Sequence, residues 1–223
     1  MKPYKEFLAQ LPLFGGVGQD KIEPLIKALG AQTNRFVKDE TLLWAGAEAE
    51  RFGIILEGCA QVLREGEAGD HAVVTQLEAG ELFAEVYACV GKSRLPVSVR
   101  ALSDGVVLWL RPDVENAAAA APGEAAKFFG NLAAVLAQKN LLLGRRIGHL
   151  TKRTTREKLL SYLEEQARAE GKAFTVALTR QQLADHLCVE RSAMCAVLSK
   201  LRQEGVLEVQ GKNFLLKCYD EER

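Results

Sequence analysis

The chain reads as an α+β protein, and three features of its sequence say so. The front is punctuated by Gly46, Gly58, Gly69 and Gly80, spaced 12, 11 and 11 residues apart, with β-rich runs between them. The middle, from Glu115 to Leu150, is dense in Ala and Leu. Past Thr151, two amphipathic helical stretches lead into a short hairpin pattern. A length of 223 residues is comfortable for two domains. The expected division is 1–114 for a β-roll with an N-terminal helix, 115–150 for a long helix, and 151–223 for a winged helix-turn-helix.

In chain order, QDKIEPLIKALGAQ carries Ile22, Leu25, Ile26 and Leu29 on one helical stripe, which predicts a helix packed on the β-domain. The runs RFGIILEG (51–58), CAQVLREG (59–66), HAVVTQL (71–77), PVSVRAL (96–102) and GVVLWL (105–110) are rich in Val, Ile and Leu, and several alternate. They predict consecutive short strands of a roll or barrel. Pro122 and Gly123 mark the start of a helix of more than about 20 residues. A long helix between domains has no single core to lie on. Its stripe of Phe128, Leu132, Val135, Leu136, Leu143 and Ile147, with Leu142 beside it, is therefore expected to pack against its own copy in a homodimer, near coiled-coil spacing.

Composition removes several classes. No apolar run approaches the roughly 18 residues of a membrane span, and the N-terminus has no secretory pattern, so a cytoplasmic location without membrane contact is expected. Five cysteines with no C-x-x-C pair argue against a disulfide framework or a zinc site and predict reduced, mostly buried thiols. The β-domain holds one histidine, His71, too few for a cupin-like metal centre, and no nucleophile elbow, phosphate-cradling loop or H-E-x-x-H pair is present. An enzyme is not expected, and neither is a metal. Residues 1–144 carry 14 Lys and Arg against 18 Asp and Glu, whereas 145–217 carry 14 against 8, followed by the acidic tail Asp220-Glu221-Glu222 and Arg223. The basic back half suits a polyanion.

The most informative segment is TRQQLADHLCVERSAMCAVLSKLRQEGVL. Thr179 is a natural N-cap with Gln182 as its capping-box partner. Leu183, Leu187, Met194, Leu198 and Leu201 point inward, and Cys188-Val189-Glu190 breaks the period where one helix gives way to the next. The following GVLEVQGKNFLLK reads as two strands around Gly211-Lys212-Asn213, a hairpin that would form a wing.

In these residues the chain resembles the family of bacterial transcription factors that includes the cyclic-AMP receptor protein and the fumarate-nitrate-reductase regulator (CRP/FNR). The likeness extends over nearly the whole chain. It implies a homodimer whose N-terminal sensor domain, built like a cyclic-nucleotide-binding roll, controls a winged helix through the long helix. It also implies double-stranded DNA with a palindromic operator, a small-molecule effector and RNA polymerase as partners. The second helix of the motif would enter the major groove, with Glu190-Arg191-Ser192-Ala193 as its reading turn. Arg191 stands where members place a base-reading arginine. Ser192 falls where some have an acidic residue, and Ala196 where many have arginine. Thr179, Arg180, Gln181, Lys200 and Lys212 are expected on backbone phosphates.

In the nucleotide-binding members, a Gly-Glu-Leu segment and an Arg-Ser or Arg-Thr pair hold the cyclic phosphate. Counting back from Val99-Arg100-Ala101, this chain has Leu95 and Pro96 at the pair and Ala84-Glu85-Val86 at the first segment. A buried phosphate without a cation is costly, so cyclic AMP is not the expected effector. Arg94, one residue earlier, would point to the opposite face of an extended strand. The expected pocket comprises Leu82, Phe83, Glu85, Val86, Tyr87, Leu95, Pro96 and Val97, for an apolar or weakly polar ligand. Alternatives are haem ligated by His71 or His149, and oxidant sensing at Cys89 beside Lys92 or Arg94. An iron–sulfur cluster would need cysteines near the N-terminus, and the first is Cys59. No cofactor is identified. A signalling module that does not bind DNA is the remaining alternative, against which Arg191, the wing and the basic back half speak.

Overall fold

A computed structural model of the chain describes residues 4–65, 71–91 and 93–217. Gly69, Lys92, Cys218 and the acidic tail with Arg223 lie outside the described residues, as does the side chain of His71. The chain divides into two compact units, Met1–Ala137 and Gln138–Arg223.

The first unit begins with α1 (Lys5–Gln10) and α2 (Ile22–Ala28), followed by β1 (Gln32–Phe36), β2 (Thr41–Leu43), β3 (Phe52–Glu57), β4 (Ala60–Glu65), β5 (His71–Leu77) and β6 (Leu82–Phe83). It continues with α3 (Glu85–Val90), β7 (Ser98–Ala101), β8 (Gly105–Leu110), α4 (Val114–Ala120) and the first half of α5 (Pro122–Leu150). The strands form two four-stranded antiparallel sheets, β1-β8-β3-β6 and β2-β7-β4-β5. Each run expected to be a strand is one. β1, β2 and β6 have no counterpart among those runs; β1, QTNRF, is polar apart from Phe36, and its first four residues are exposed.

β3 is buried on both faces, which explains its continuous rather than alternating apolar sequence. Phe52, Ile54 and Leu56 of β3, with Val106, Leu108 and Leu110 of β8, face a core built with Leu8, Leu25, Leu29 and Phe128 from the helices. Ile55, Val107 and Trp109 face the other way, into the space between the sheets. There Phe83 lies against the backbone of Gly53: a Cβ on Gly53 would come within 2.1 Å of the Phe83 ring. Phe83 also meets Trp109 edge-on, with centroids 5.3 Å apart.

The helix expected from Glu115 onward is two helices. Ala121 precedes Pro122, whose ring disfavours the helical conformation at the residue before it, and Ala121 takes φ −155°. Asp113 caps α4 by accepting from the Asn116 amide, and Pro122 opens α5. The face of α5 expected to meet a second chain is corrected in part. Phe128 and Leu132 are buried in the first unit's own core, at 0 % and 3 % exposure, and Leu136 packs partly against it. Val135 is half-buried, whereas Leu143 and Ile147 are exposed.

The second unit comprises the end of α5, α6 (Thr155–Glu170), β9 (Ala173–Thr175), α7 (Arg180–His186), α8 (Arg191–Gln203), β10 (Leu207–Gln210) and β11 (Asn213–Leu216). Thr154 and Glu157 close a capping box on α6. Leu159, Leu163, Leu183, Leu187, Met194, Leu198 and Leu201 fill one core with Phe174 and Phe214. The hairpin β10-β11 turns through Gly211, whose φ of +62° suits the first central position of a tight turn, and β9 adds a third strand.

The link between α7 and α8 places Cys188 in the left-handed region, φ +49°, a conformation that costs an L-residue about 1–2 kcal/mol. Cys188→Gly is expected to raise stability by about 1 kcal/mol, measured by urea unfolding followed by circular dichroism. Gly53→Ala should lower stability by about 1–3 kcal/mol in the same assay, since Phe83 must move or the strand must shift.

Candidate nucleic-acid interface and sensor cassette

Helix α7 starts at a complete capping box. Thr179 Oγ1 accepts from the Gln182 amide at 3.2 Å, and Gln182 Oε1 accepts from the Thr179 amide at 2.9 Å. The turn after it delivers α8 with a clean division of faces. Met194, Leu198 and Leu201 are buried, while Arg191, Ser192, Ala193, Ala196, Ser199 and Lys200 are exposed. The outward face is thus small and polar, with a cation at each end. Among the described residues Arg191 and Lys200 make no ion pair or hydrogen bond within the protein, so both guanidinium and ammonium are free to engage a partner.

Four of the residues expected on phosphates are instead engaged inside the unit. Arg180 Nη2 donates to the Gly211 carbonyl at 2.7 Å, and its guanidinium lies 4.9 Å from the Phe214 ring centroid. Lys212 Nζ donates to the Ala177 carbonyl at 2.7 Å. Gln181 Nε2 donates to Asp185 Oδ1 at 2.8 Å, and the Thr179 hydroxyl is committed to its cap. The Arg180 and Lys212 contacts tie the hairpin to the start of α7 and the residues before it, whereas those of Thr179 and Gln181 lie within α7 and its cap. Ser199 and Arg202 are the candidates that sequence reasoning passed over: with Gln203, Gln210 and Asn213 they line an open groove of about 910 Å³ beside the hairpin. A basic residue in the last turn of α8 was the available signal.

In the first unit, the cassette expected to hold an effector is closed. Ala84 caps α3 in the left-handed region, φ 61°, where the resembling sequences have glycine. Leu95 is buried, at 3 % exposure, with its amide donating to the Ala47 carbonyl and its own carbonyl accepting from Gly46. Arg94 points outward, donating from Nη1 to the Gly46 carbonyl at 3.1 Å. The alternation therefore places an apolar side chain inside and the cation outside. Among the described residues of this segment, no cation faces the interior.

Nor do the expected lining residues share a pocket, which corrects that expectation. Leu82 joins the helix-side core and Phe83 the space between the sheets, so they lie on opposite faces of one sheet. Val86 and Pro96 are exposed, Tyr87 and Val97 half-buried, and Glu85 is buried at 4 % exposure. An open cavity of about 520 Å³ lies elsewhere on the roll, lined by Gln32, Asn34, Leu42, Leu43, Arg51 and Trp109 among others.

The sensing alternatives fare as follows. Cys89 and Cys188 are exposed and Cys59 and Cys195 half-buried, so the thiols are not mostly buried. Loss of solvation, and then the Glu85 carboxylate, push the Cys89 thiol above its ordinary value, opposite to the activation an oxidant sensor requires. His149 is 6 % exposed, with Nδ1 2.9 Å from Ser161 Oγ and Nε2 2.8 Å from Glu165 Oε2, so neither ring nitrogen is free for haem iron. Among the described residues no cluster of three or more His, Cys, Asp or Glu could hold a metal ion, and no helix is long and apolar enough to cross a membrane.

Residues 33–118 match the cyclic nucleotide-binding domain family, and residues 157–222 match the Crp-like helix-turn-helix domain family. Among solved structures, the c-di-GMP responsive global regulator CLP of Xanthomonas campestris is similar over 91% of this chain and 100% of its own, at 16% identity and TM-score 0.60. A CooA variant from Carboxydothermus hydrogenoformans is similar over 86% of this chain and 85% of its own, at 20% identity and TM-score 0.60. CprK complexed with OCPA is similar over 88% of each chain, at 14% identity and TM-score 0.65. At these identities the three structures establish the shared fold. Taken with the two domain matches and the exposed face of α8, they lead to one identification: the chain belongs to the CRP/FNR family of transcription regulators, DNA-binding proteins with a cyclic nucleotide-binding-type sensor domain and a Crp-like helix-turn-helix domain.

Proposed function

We propose that the protein is a dimeric, sequence-specific regulator that reads a palindromic operator through Arg191, and that its sensor domain answers to a small effector other than cyclic AMP. The observation that carries the DNA-reading part is Arg191, exposed in the first turn of α8 and without a partner among the described residues. A guanidinium so placed can contact guanine O6 and N7 together. Ser192, Lys200, Ser199 and Arg202 supply further contacts, and the wing ties through Arg180 and Lys212 set the angle at which the hairpin meets the backbone.

The effector part rests on the buried Leu95 and the outward Arg94. CLP is c-di-GMP responsive and CprK binds OCPA, so this fold accommodates effectors of different chemistry. Dimerisation is supported by the later half of α5, where Leu141, Leu142, Leu143 and Ile147 are 57–63 % exposed. Fully burying a side chain of this size contributes about 1.5–3 kcal/mol, so a matching copy of the helix is a natural cover. RNA polymerase and a cytoplasmic location complete the proposal.

Selection of duplexes from a random library by the purified protein should return a palindromic site. On that site Arg191→Ala should cost about 1–3 kcal/mol and flatten preference at one base pair per half-site, measured by fluorescence anisotropy across single-base variants. A loss that is equal for every sequence would make Arg191 a backbone contact and refute its reading role. Leu143→Glu should sediment as a monomer; an unchanged dimer would remove this face from the interface.

A further inference from the structure

Three helices of the second unit meet at a cluster that the DNA-reading face does not use. Tyr162 of α6 lies between two histidines: His149 of α5 at 5.9 Å and His186 of α7 at 5.5 Å between centroids, both edge-on. Glu165 of α6 is shared by His149 Nε2 at 2.8 Å and Arg145 Nη1 at 3.4 Å. Arg146 Nε donates to the His186 carbonyl at 3.4 Å, and Lys158 Nζ donates to the Leu187 carbonyl at 3.4 Å. Carbonyls at a helix C-terminus have no intrahelical partner, so these two cations satisfy the end of α7 at the point where the chain turns into α8.

We propose that Arg146 of α5 and Lys158 of α6 are positioning residues for DNA binding, clasping the end of α7 to those two helices, and that this clasp loosens when His186 takes up a proton. His186 is half-buried and faces Arg146 and His149 from α5 and Tyr162 and Glu165 from α6. Asp185, beside it on α7, is committed to Gln181. Burial first, then the fields of Arg146 and His149, hold His186 below its ordinary value of 6.5, while Glu165 pulls the other way. Glu165 is already shared between Arg145 and His149, so a charge on His186 has no carboxylate of its own.

The sign follows. A base whose folded-state value is depressed contributes stability that is fully present above its unfolded value and is lost as the pH falls below it. Acidification should therefore loosen the Leu187–Val189 turn, whose amides are bonded to Leu183, Asp185 and Ala184 carbonyls. Added positive charge would by itself strengthen binding to a polyanion, so weaker binding in acid is the distinguishing result.

The inference rests on the proposed DNA reading for its functional consequence, and the test separates the two. Anisotropy with the library-selected duplex should show affinity about fivefold weaker at pH 5.5 than at pH 7.5 for the wild type. The chain has three histidines, so variants of each can assign that slope. His186→Gln should bind equally at both pH values, and His71→Gln should keep the wild-type slope. Equal or tighter wild-type binding in acid, or a slope that survives in His186→Gln, overturns the proposal. Hydrogen exchange of the full chain, corrected for intrinsic rates, reads the clasp without DNA. Protection at Leu187–Val189 should fall at pH 5.5 in the wild type and not in His186→Gln; pH-independent protection in the wild type overturns the clasp even if no duplex is selected.

Discussion

Burial of β3 on both faces is the constraint from which the rest of the first unit follows. One face needs helices to cover Phe52, Ile54 and Leu56, and α1, α2 and the start of α5 serve that need. The other face needs a second sheet, which the roll provides. Because Ala125, Phe128 and Leu132 are committed to this core, the first half of α5 is an integral part of the sensor domain. The apolar residues left uncovered on that helix lie further along it, at Leu141, Leu142, Leu143 and Ile147. A stripe that looks uniform in sequence thus divides into a buried part and an exposed part.

The second unit solves a different problem with fewer residues. Its three-stranded sheet is short, and Phe174 stacked on Phe214 at 5.8 Å gives it one aromatic layer. Cations supply much of the remaining definition: Arg180 reaches across to the wing turn, Lys212 reaches back, and Arg156 pairs with Glu204 at 2.6 Å. Arg156–Glu204 is the ion pair among them, and an exposed pair contributes about 0–1 kcal/mol. What they fix is the spacing of wing and helix, which a DNA-binding domain needs in register with groove and backbone.

Sequence reasoning recovered most of the fold because its signals were local. The capping box at Thr179 and the turn at Gly211 each depend on residues within a few positions of one another. The apolar runs became strands for the same reason. It was blind to β1, whose residues are polar and which is held by pairing with β8 more than 70 residues away. The candidate site was legible on α8, where face and period determine exposure, and less so around it. Nothing in the spacing shows that Arg180 lies over Phe214, or that Phe83 lies against Gly53. Those facts come from tertiary contacts between distant segments. The register of Leu95 against Arg94 was legible, because alternation along an extended segment is a local rule.

The ring of Phe83 rests on Gly53 and fills the space between the sheets at this point. Any molecule entering the space between the sheets at this point must first displace the ring, and exposing a buried phenylalanine costs about 1.5–3 kcal/mol. Its measured affinity is lowered by the fraction of molecules in which the ring has already moved, roughly ten- to a hundredfold for that cost. Weak and non-specific ligands are excluded on that account. An effector that binds here must recover the loss through contacts made only once the ring has swung aside, so its arrival and a rearrangement of the roll are a single event.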